Sequence, residues 1–254
     1  MQLRERKGVF GLNKLYVVGI GPGAYEDMTI RAAKVLEQCD VIIGYTVYVD
    51  LVRQHFADKK FLTTPMKQEI ERCEMAFSEA EAGHTTAMIC SGDAGVYGMA
   101  GLILGMQEEH PSVVVEVIPG VTAALSGAAV LGATLIHDFA LISLSDLMTP
   151  WELIEKRLLY AGKADLGICL YNPSSRKRSD YLKKACEILL TCKAKETVCG
   201  IVRNIGREGE SYQICSLQEL KEIQTDMFTT VFIGNSQTKQ INGHMVTPRG
   251  YRNE

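Results

Sequence analysis

The sequence predicts an α/β fold of two domains, an N-terminal parallel sheet with crossover helices and a C-terminal mixed sheet, and three observations carry that expectation. Short apolar runs alternate with segments of helical period from Lys14 to about Thr122, the alternation that builds parallel sheets. Most of those runs break at glycine. The second half changes rhythm and closes with three strand-like runs around Gly206 and Gly209, too closely spaced for crossover helices, so antiparallel pairs are expected there.

Each element has its own signal. Lys14 to Val18 reads as a buried strand that runs into Gly19-Ile20-Gly21-Pro22-Gly23. Thr29 is placed to cap a helix whose Ala32, Val35, Leu36 and Cys39 share one face. Val41 to Ile43 is the next strand, and a second helix sets Met66, Ile70, Cys73, Phe77 and Ala80 on one face before stopping at Gly83. Ala87 to Cys90 is a strand ending in Ser91-Gly92-Asp93-Ala94-Gly95-Val96-Tyr97-Gly98. Val113 to Ile118 is another, broken by Pro119-Gly120 before a helix from near Thr122. In the second half a strand from Phe139 to Leu144 precedes Thr149-Pro150-Trp151-Glu152, which reads as a capping box with proline at the first helical position. That helix runs to about Ala161. Leu166 to Tyr171 is a strand broken by Asn172-Pro173. Leu182, Ala185, Cys186 and Leu189 mark a helix face, and Thr197 to Val202, Ser211 to Cys215 and Thr229 to Ile233 complete the strands. The change of rhythm divides the chain into an extension (1–13), a first domain (14–130) and a second (131–250).

Composition narrows the function. The chain has 254 residues, 46% hydrophobic and 22% charged, enough for one large or two modest cores. A formal charge of -3 supplies no basic field for nucleic acid. The eight cysteines show no C-x-x-C pair, so a metal or redox centre is not expected and most should pack as small hydrophobes. Neither a leader nor a membrane span is evident, and a cytoplasmic, reduced setting is expected.

The first glycine turn resembles a dinucleotide fingerprint but has Ala24 where a further glycine is needed. The second strand also ends at Gly44 and Tyr45, with Asp40 before it, so the ribose-binding acid is missing. Read alone, this turn is either a tight structural turn or a ligand site. The turns at Gly92 and Gly120 lie at the carboxyl ends of two further strands, where open α/β sheets bind ligands, and no phosphate-binding lysine follows them.

Gly19-x-Gly21-Pro22-Gly23, Ser91-Gly92-Asp93-x-Gly95-Val96-Tyr97-Gly98 and Pro119-Gly120-Val121-Thr122-Ala123 resemble, in order and spacing, the three N-domain motifs of the tetrapyrrole methylases. His137-Asp138-Phe139, Ser143-Leu144-Ser145-Asp146-Leu147, Thr149-Pro150-Trp151-Glu152 and Tyr171-Asn172-Pro173-Ser174-Ser175 resemble the branch that methylates carbon 17 of precorrin-3B or cobalt-precorrin-3 with ring contraction, in cobalamin synthesis. The resemblance implies a cofactor cleft between the two domains, a homodimer, and S-adenosylmethionine as cofactor. It implies cofactor contacts at Pro22, Gly92, Asp93, Ala94, Val96, Thr122, Ala123 and Asn172, with one more between Gly200 and Asn204. Ala94 stands where many members have proline. Tyr45 stands where a related uroporphyrinogen methylase has an aspartate proposed as proton acceptor.

The sulfonium donor carries an activated methyl, so alignment supplies most of the catalysis and no protein metal is expected. Tyr45, Lys67 and Asp138 are the catalytic candidates, and His137-Asp138 is either a pair acting in proton transfer or lactone formation during ring contraction or a structural pair. Arg176 and Arg178, with Lys177 between them, are expected to hold substrate carboxylates, the alternative being a solvated surface run. Competing readings are a methylase acting at another ring carbon, a nicotinamide-dependent precorrin reductase and a non-enzymatic tetrapyrrole carrier.

Overall fold

Runs of apolar residues without polar alternation form the central strands of the first half, because a parallel strand covered on both faces buries both sets of side chains. The computed structural model describes residues 13–175 and 178–251, and the chain divides between Thr122 and Ala123. In the first unit β1 (Asn13–Gly19), β2 (Val41–Tyr45), β3 (Lys60–Thr64), β4 (Thr86–Cys90) and β5 (Val113–Ile118) form one sheet in the order β3-β2-β4-β1-β5, with every pairing parallel. Its helices are α1 (Ile30–Gln38), α2 (Thr46–Val52), α3 (Glu69–Glu81) and α4 (Ala100–Met106).

Alternate residues of each strand go to opposite layers. Leu15, Val17, Val41, Ile43 and Met88 pack with Cys73, Ala76, Phe77 and Ala80 of α3 and Ile103 of α4. Tyr16, Val18, Ile42, Ala87 and Ile89 pack with Ala32 and Leu36 of α1 and Val49 and Val52 of α2. Thr29 caps α1 as expected, its Oγ1 accepting from the Ala32 amide at 3.1 Å. Two differences appear. α3 starts at Glu69, and Met66 and Ile70 are 45% and 61% exposed; Pro65 and the left-handed Lys67 (φ 71°) keep the chain out of helix until then. α2 and the edge strand β3 fill a stretch in which the sequence carries no clear alternation.

In the second unit come α5 (Ala123–Leu131), β6 (Gly132–Ala133), β7 (Phe139–Ser143), α6 (Trp151–Lys163), β8 (Gly167–Tyr171), α7 (Tyr181–Leu189), β9 (Val198–Arg203), β10 (Ser211–Ser216), α8 (Leu217–Leu220), β11 (Thr229–Ile233), β12 (Lys239–Ile241) and β13 (His244–Val246). The main sheet has the order β10-β9-β11-β8-β7, with β7 and β8 parallel and the other pairs antiparallel; β12, β13 and β6 make a small second sheet. The faces expected for α7 are buried at Leu182, Ala185, Cys186 and Leu189. α5 belongs with this unit, not with the first domain, because its Ala124, Ala128 and Leu131 pack on Cys169, Val202 and Phe232.

The capping box expected at Thr149 does not form. Pro150 occupies the N-cap without a side-chain bond, and α6 continues through Gly162, where a Cβ would stand 2.6 Å from the Cys192 sulfur. A capping box does form at α8, between Ser216 and Glu219.

Cys39, Cys73, Cys90, Cys169, Cys186 and Cys199 are buried and unpaired. Burial pushes the Cys39, Cys73 and Cys186 thiols up to about 12 and Cys90 up to about 11. A thiol reagent at pH 8 should therefore label the native protein far more slowly than the urea-unfolded chain, with the half-buried Cys192 modified first. Peptide mapping after short exposure checks this, and rapid labelling of all eight sites in the native state would contradict it.

Candidate functional site

The strands of the first unit are all parallel, so the segments that follow Gly19, Tyr45, Thr64, Cys90 and Ile118 leave from one end of the sheet. At that end the central turns meet backbone to backbone. The Gly21 amide donates to the Gly92 carbonyl at 3.1 Å, and the Gly92 amide returns a bond to the Gly21 carbonyl at 2.7 Å. A Cβ on Gly19 would lie 2.7 Å from both the Gly120 nitrogen and the Gly92 carbonyl oxygen, and one on Gly120 would lie 2.1 Å from that same oxygen. Gly21 and Gly92 have φ of 77° and 68°, which only glycine adopts at little cost.

Asp93 joins the second turn to the third. Its Oδ1 accepts from the Gly95 amide at 2.8 Å and its Oδ2 from the Gly120 amide at 2.9 Å. Thr29, besides capping α1, donates its hydroxyl to the Pro119 carbonyl at 3.2 Å. The three glycine-bearing segments thus form one assembly built of main chain and a single carboxylate.

Of the cofactor contacts expected in this unit, Pro22 and Gly92 are buried, whereas Asp93, Val96 and Thr122 are half-buried. Ala94 is fully buried in the core and its carbonyl accepts from the Ala100 amide, so it presents no side-chain surface to a ligand and instead seats the turn. The side chain that the turn does expose is Tyr97, left-handed at φ 53° and 59% exposed. Its signal was its place between Val96 and Gly98, where a bulky residue with positive φ is uncommon.

Tyr45 and Lys67 lie at the same end of the sheet. Tyr45 pairs in register with Thr64, is half-buried and meets Tyr48 edge-on at 5.2 Å. Lys67 is exposed. Bound to the exit of β3 is Arg72, 4% exposed, whose Nε donates to Thr64 Oγ1 at 2.8 Å and whose Nη2 donates to the Pro65 carbonyl at 3.0 Å. This buried guanidinium fixes the exit from β3, and nothing in a charged, helix-period segment distinguishes it beforehand.

In the second unit β8 and β9 are both antiparallel to β11, and β7 is parallel to β8, so the carboxyl ends of β7, β8 and β9 share one end of that sheet. Asn172 follows β8 there, exposed and left-handed (φ 53°), with its Nδ2 donating to Ser143 Oγ at 2.9 Å. Asn204 follows β9 in the same conformation (φ 50°). The Tyr171 hydroxyl accepts from the Ala124 amide at 2.6 Å, capping the first turn of α5 next to Ala123.

Arg178 is neither a solvated surface residue nor wholly free for a ligand. Its Nη1 donates to Ser145 Oγ at 2.7 Å and to Asp146 Oδ1 at 3.1 Å, its Nε donates to Ser175 Oγ at 3.1 Å, and its side chain is 17% exposed. The Tyr181 hydroxyl donates to Asp146 Oδ2 at 2.7 Å. That bond and Arg178 hold the Asp146 carboxyl below the ordinary carboxylate range, and the same contact raises the Tyr181 phenol. Arg176 and Lys177 lie outside the described residues.

Asp138 is placed apart from this group. It is exposed at the amino end of β7, its carbonyl accepting from the Gly167 amide. Five residues at roughly 3.3 Å each put it roughly 17 Å along the strand from Ser143. His137 does not form the structural pair with Asp138; its Nε2 is 2.9 Å from the Pro248 carbonyl. Among the described residues no group of three His, Cys, Asp or Glu side chains is arranged to hold a metal ion.

A family model of the tetrapyrrole (corrin/porphyrin) methylases matches residues 14–221. Over 238 residues the chain is 45% identical to a protein of Salmonella typhimurium named "Probable cobalt-factor III C(17)-methyltransferase", covering 93% of this chain and 99% of the relative. It is 35% identical over 246 residues to the "Precorrin-3B C(17)-methyltransferase" of a Sinorhizobium species, covering 93% and 96% of the two chains. The crystal structure of the methyltransferase CobJ matches with a TM-score of 0.84 at 30% identity, over 92% of this chain and 99% of that one.

Asp93→Ala should leave the Gly95 and Gly120 amides without their acceptor and cost about 1–3 kcal/mol of stability, with Asp93→Asn milder. Gly120→Ala should cost more, because its Cβ has no room beside the Gly92 carbonyl. Urea denaturation of the three variants gives the ranking, and a Gly120→Ala protein as stable as its parent would refute the backbone packing described above.

Proposed function

The chain belongs to the tetrapyrrole methylases, and from that premise we propose that it transfers a methyl group from S-adenosylmethionine to carbon 17 of a cobalt-precorrin-3-type macrocycle, with ring contraction, in cobalamin biosynthesis. The observation that carries the reading is the backbone assembly at Gly21, Gly92 and Gly120 in a chain 45% identical to a relative so named. The higher identity to the cobalt-factor relative than to the precorrin-3B relative, 45% against 35%, favours the cobalt-bearing substrate.

The residues fit the cofactor. The three turns contain no lysine or arginine, so they are poorly suited to a polyphosphate. Their main-chain groups and the single Asp93 carboxylate suit a purine and a cationic amino-acid moiety. When bound, S-adenosylmethionine supplies an electrophilic methyl on a neutral leaving group. The protein's part is then orientation. Gly92 and Gly120 keep the turn free of side chains, Asp93 fixes the spacing of the second and third turns, and Val96 and Tyr97 border them. Asn172 is the second unit's candidate contact. Tyr45 and Lys67, both following strands at the same end of the first sheet, are the candidates for moving a proton as the ring carbon is alkylated. Asp138 has no part in this scheme.

We further propose that the protein acts as a cytoplasmic homodimer, as its family resemblance implies. No helix among the described residues is long and apolar enough to cross a membrane. Sedimentation equilibrium is expected to give twice the chain mass, and a monomer at micromolar concentration would reject the dimer.

Calorimetry should show S-adenosylmethionine binding in the micromolar range, about -8 kcal/mol, with no saturable binding of NAD. With cobalt-precorrin-3 the product should gain one methylene mass unit at carbon 17, as read by mass spectrometry and NMR, and faster than with precorrin-3B. Methylation at a different ring carbon would transfer the assignment to another member of the family.

A further inference from the structure

The loops that leave β7 and β8 are joined to one another more heavily than neighbouring strands require. Asn172 Nδ2 bonds to Ser143 Oγ, Arg178 Nη1 to Ser145 Oγ and Asp146 Oδ1, and Tyr181 Oη to Asp146 Oδ2. The β-ladder itself is prolonged by the Leu144 amide donating to the Tyr171 carbonyl at 2.9 Å. Behind these bonds Trp151 packs on Tyr181 with ring centroids 4.4 Å apart, and the Lys184 ammonium lies 5.0 Å from the Tyr181 ring. The Arg178 amide also donates to the Ser175 carbonyl at 2.9 Å.

We propose that Asp146, Arg178 and Tyr181 form a latch that positions the β7 and β8 loops for the tetrapyrrole, with Arg178 acting through Asp146 and not by pairing with a substrate carboxylate. Two observations and one general property of ion pairs carry this. Arg178 places Nε and Nη1 on protein acceptors and is 17% exposed, the arrangement of a guanidinium that orients a neighbour. A partly exposed ion pair contributes little to global stability but fixes geometry when it is hydrogen-bonded on both sides. The latch also closes one end of a short loop whose other end is set by Pro150 at the start of α6, so that Leu147 and Met148, 67% and 96% exposed, are held out from a constrained backbone. Ordering such a loop before binding removes an entropy cost from substrate association.

The inference rests on the proposed methyltransferase activity, and its test is a double-mutant cycle on the full chain. Asp146→Ala, Arg178→Ala, the double variant and Arg178→Lys are assayed with cobalt-precorrin-3 and S-adenosylmethionine, at a temperature well below each variant's Tm. Each alanine variant should raise the tetrapyrrole KM about tenfold while the Kd for S-adenosylmethionine, from calorimetry, changes less than about threefold. The double variant should be no worse than either single one, because the two side chains act as a unit. Arg178→Lys should restore part of the loss.

Three results would overturn the latch. One is a folded Arg178→Ala protein with the parent KM. Another is additive effects that shrink at high salt, which would mean that Arg178 pairs directly with a substrate carboxylate. The third is equal loss of cofactor and substrate binding, the mark of a merely structural role. Absence of turnover by the parent chain would instead reject the activity, and the inference with it.

Discussion

No Cβ can stand where the ends of β1, β4 and β5 meet, and the arrangement of the first unit depends on that exclusion. The Gly92 carbonyl is hemmed in by Gly19, Gly21 and Gly120, and any side chain at Gly19 or Gly120 would enter its van der Waals radius. Glycine there lets three turns approach through their main chains, and Asp93 supplies the acceptor that two of their amides would otherwise lack. The strand order puts β1 between β4 and the edge strand β5, so the turns that meet follow three adjacent strands. A surface of amides, carbonyls and one carboxylate is left, suited to a ligand recognised by shape and hydrogen bonds.

The second unit reaches a comparable result by other means. Inserting β11 antiparallel between β8 and β9 leaves the exits of β7, β8 and β9 at one end of a mixed sheet. The opposite end is secured by Lys193, 9% exposed, whose ammonium donates to the Leu166 and Gly234 carbonyls at 3.1 Å each and lies 3.4 Å from Asp165. A buried cation satisfied in this way resists rearrangement, since loss of its partners would leave an uncompensated charge. The exits of β7 and β8, by contrast, are held by half-exposed polar contacts that a ligand can complete. Rigid support below and polar, partly exposed loops above is the distribution expected where binding must be both oriented and reversible.

The proposed methyl transfer from a sulfonium asks little acid–base chemistry of the protein. Among the described residues, those with shifted ionisation are either thiols desolvated by partial or full burial or members of local hydrogen-bonded pairs such as Asp146 and Tyr181. Positioning is the larger task in such a reaction, and it is the task proposed for the backbone assembly of the first unit and the loops latched in the second.

The sequence by itself determined the parallel first sheet, the mixed second one, the helix faces at Cys73, Phe77 and Ala80 and at Leu182, Ala185 and Leu189, and the glycine turns with their family. These follow from period and from backbone freedom, which are local properties of the chain. Only the tertiary structure decided that α5 packs with Phe232, that Met66 stands in solvent, that α6 begins at Trp151 with no side-chain bond from its N-cap Pro150, and that Ala94 is interior. It also placed Asp138 and Asn172 at opposite ends of adjacent strands, and it turned Arg178 inward to Asp146 from a run of charges that reads as a carboxylate-binding site or a solvated surface. The physical reason is common to all of these. Which end of a strand a residue occupies in the sheet, and which charge finds a partner, depend on pairings between segments far apart in sequence, and residue type alone does not encode them.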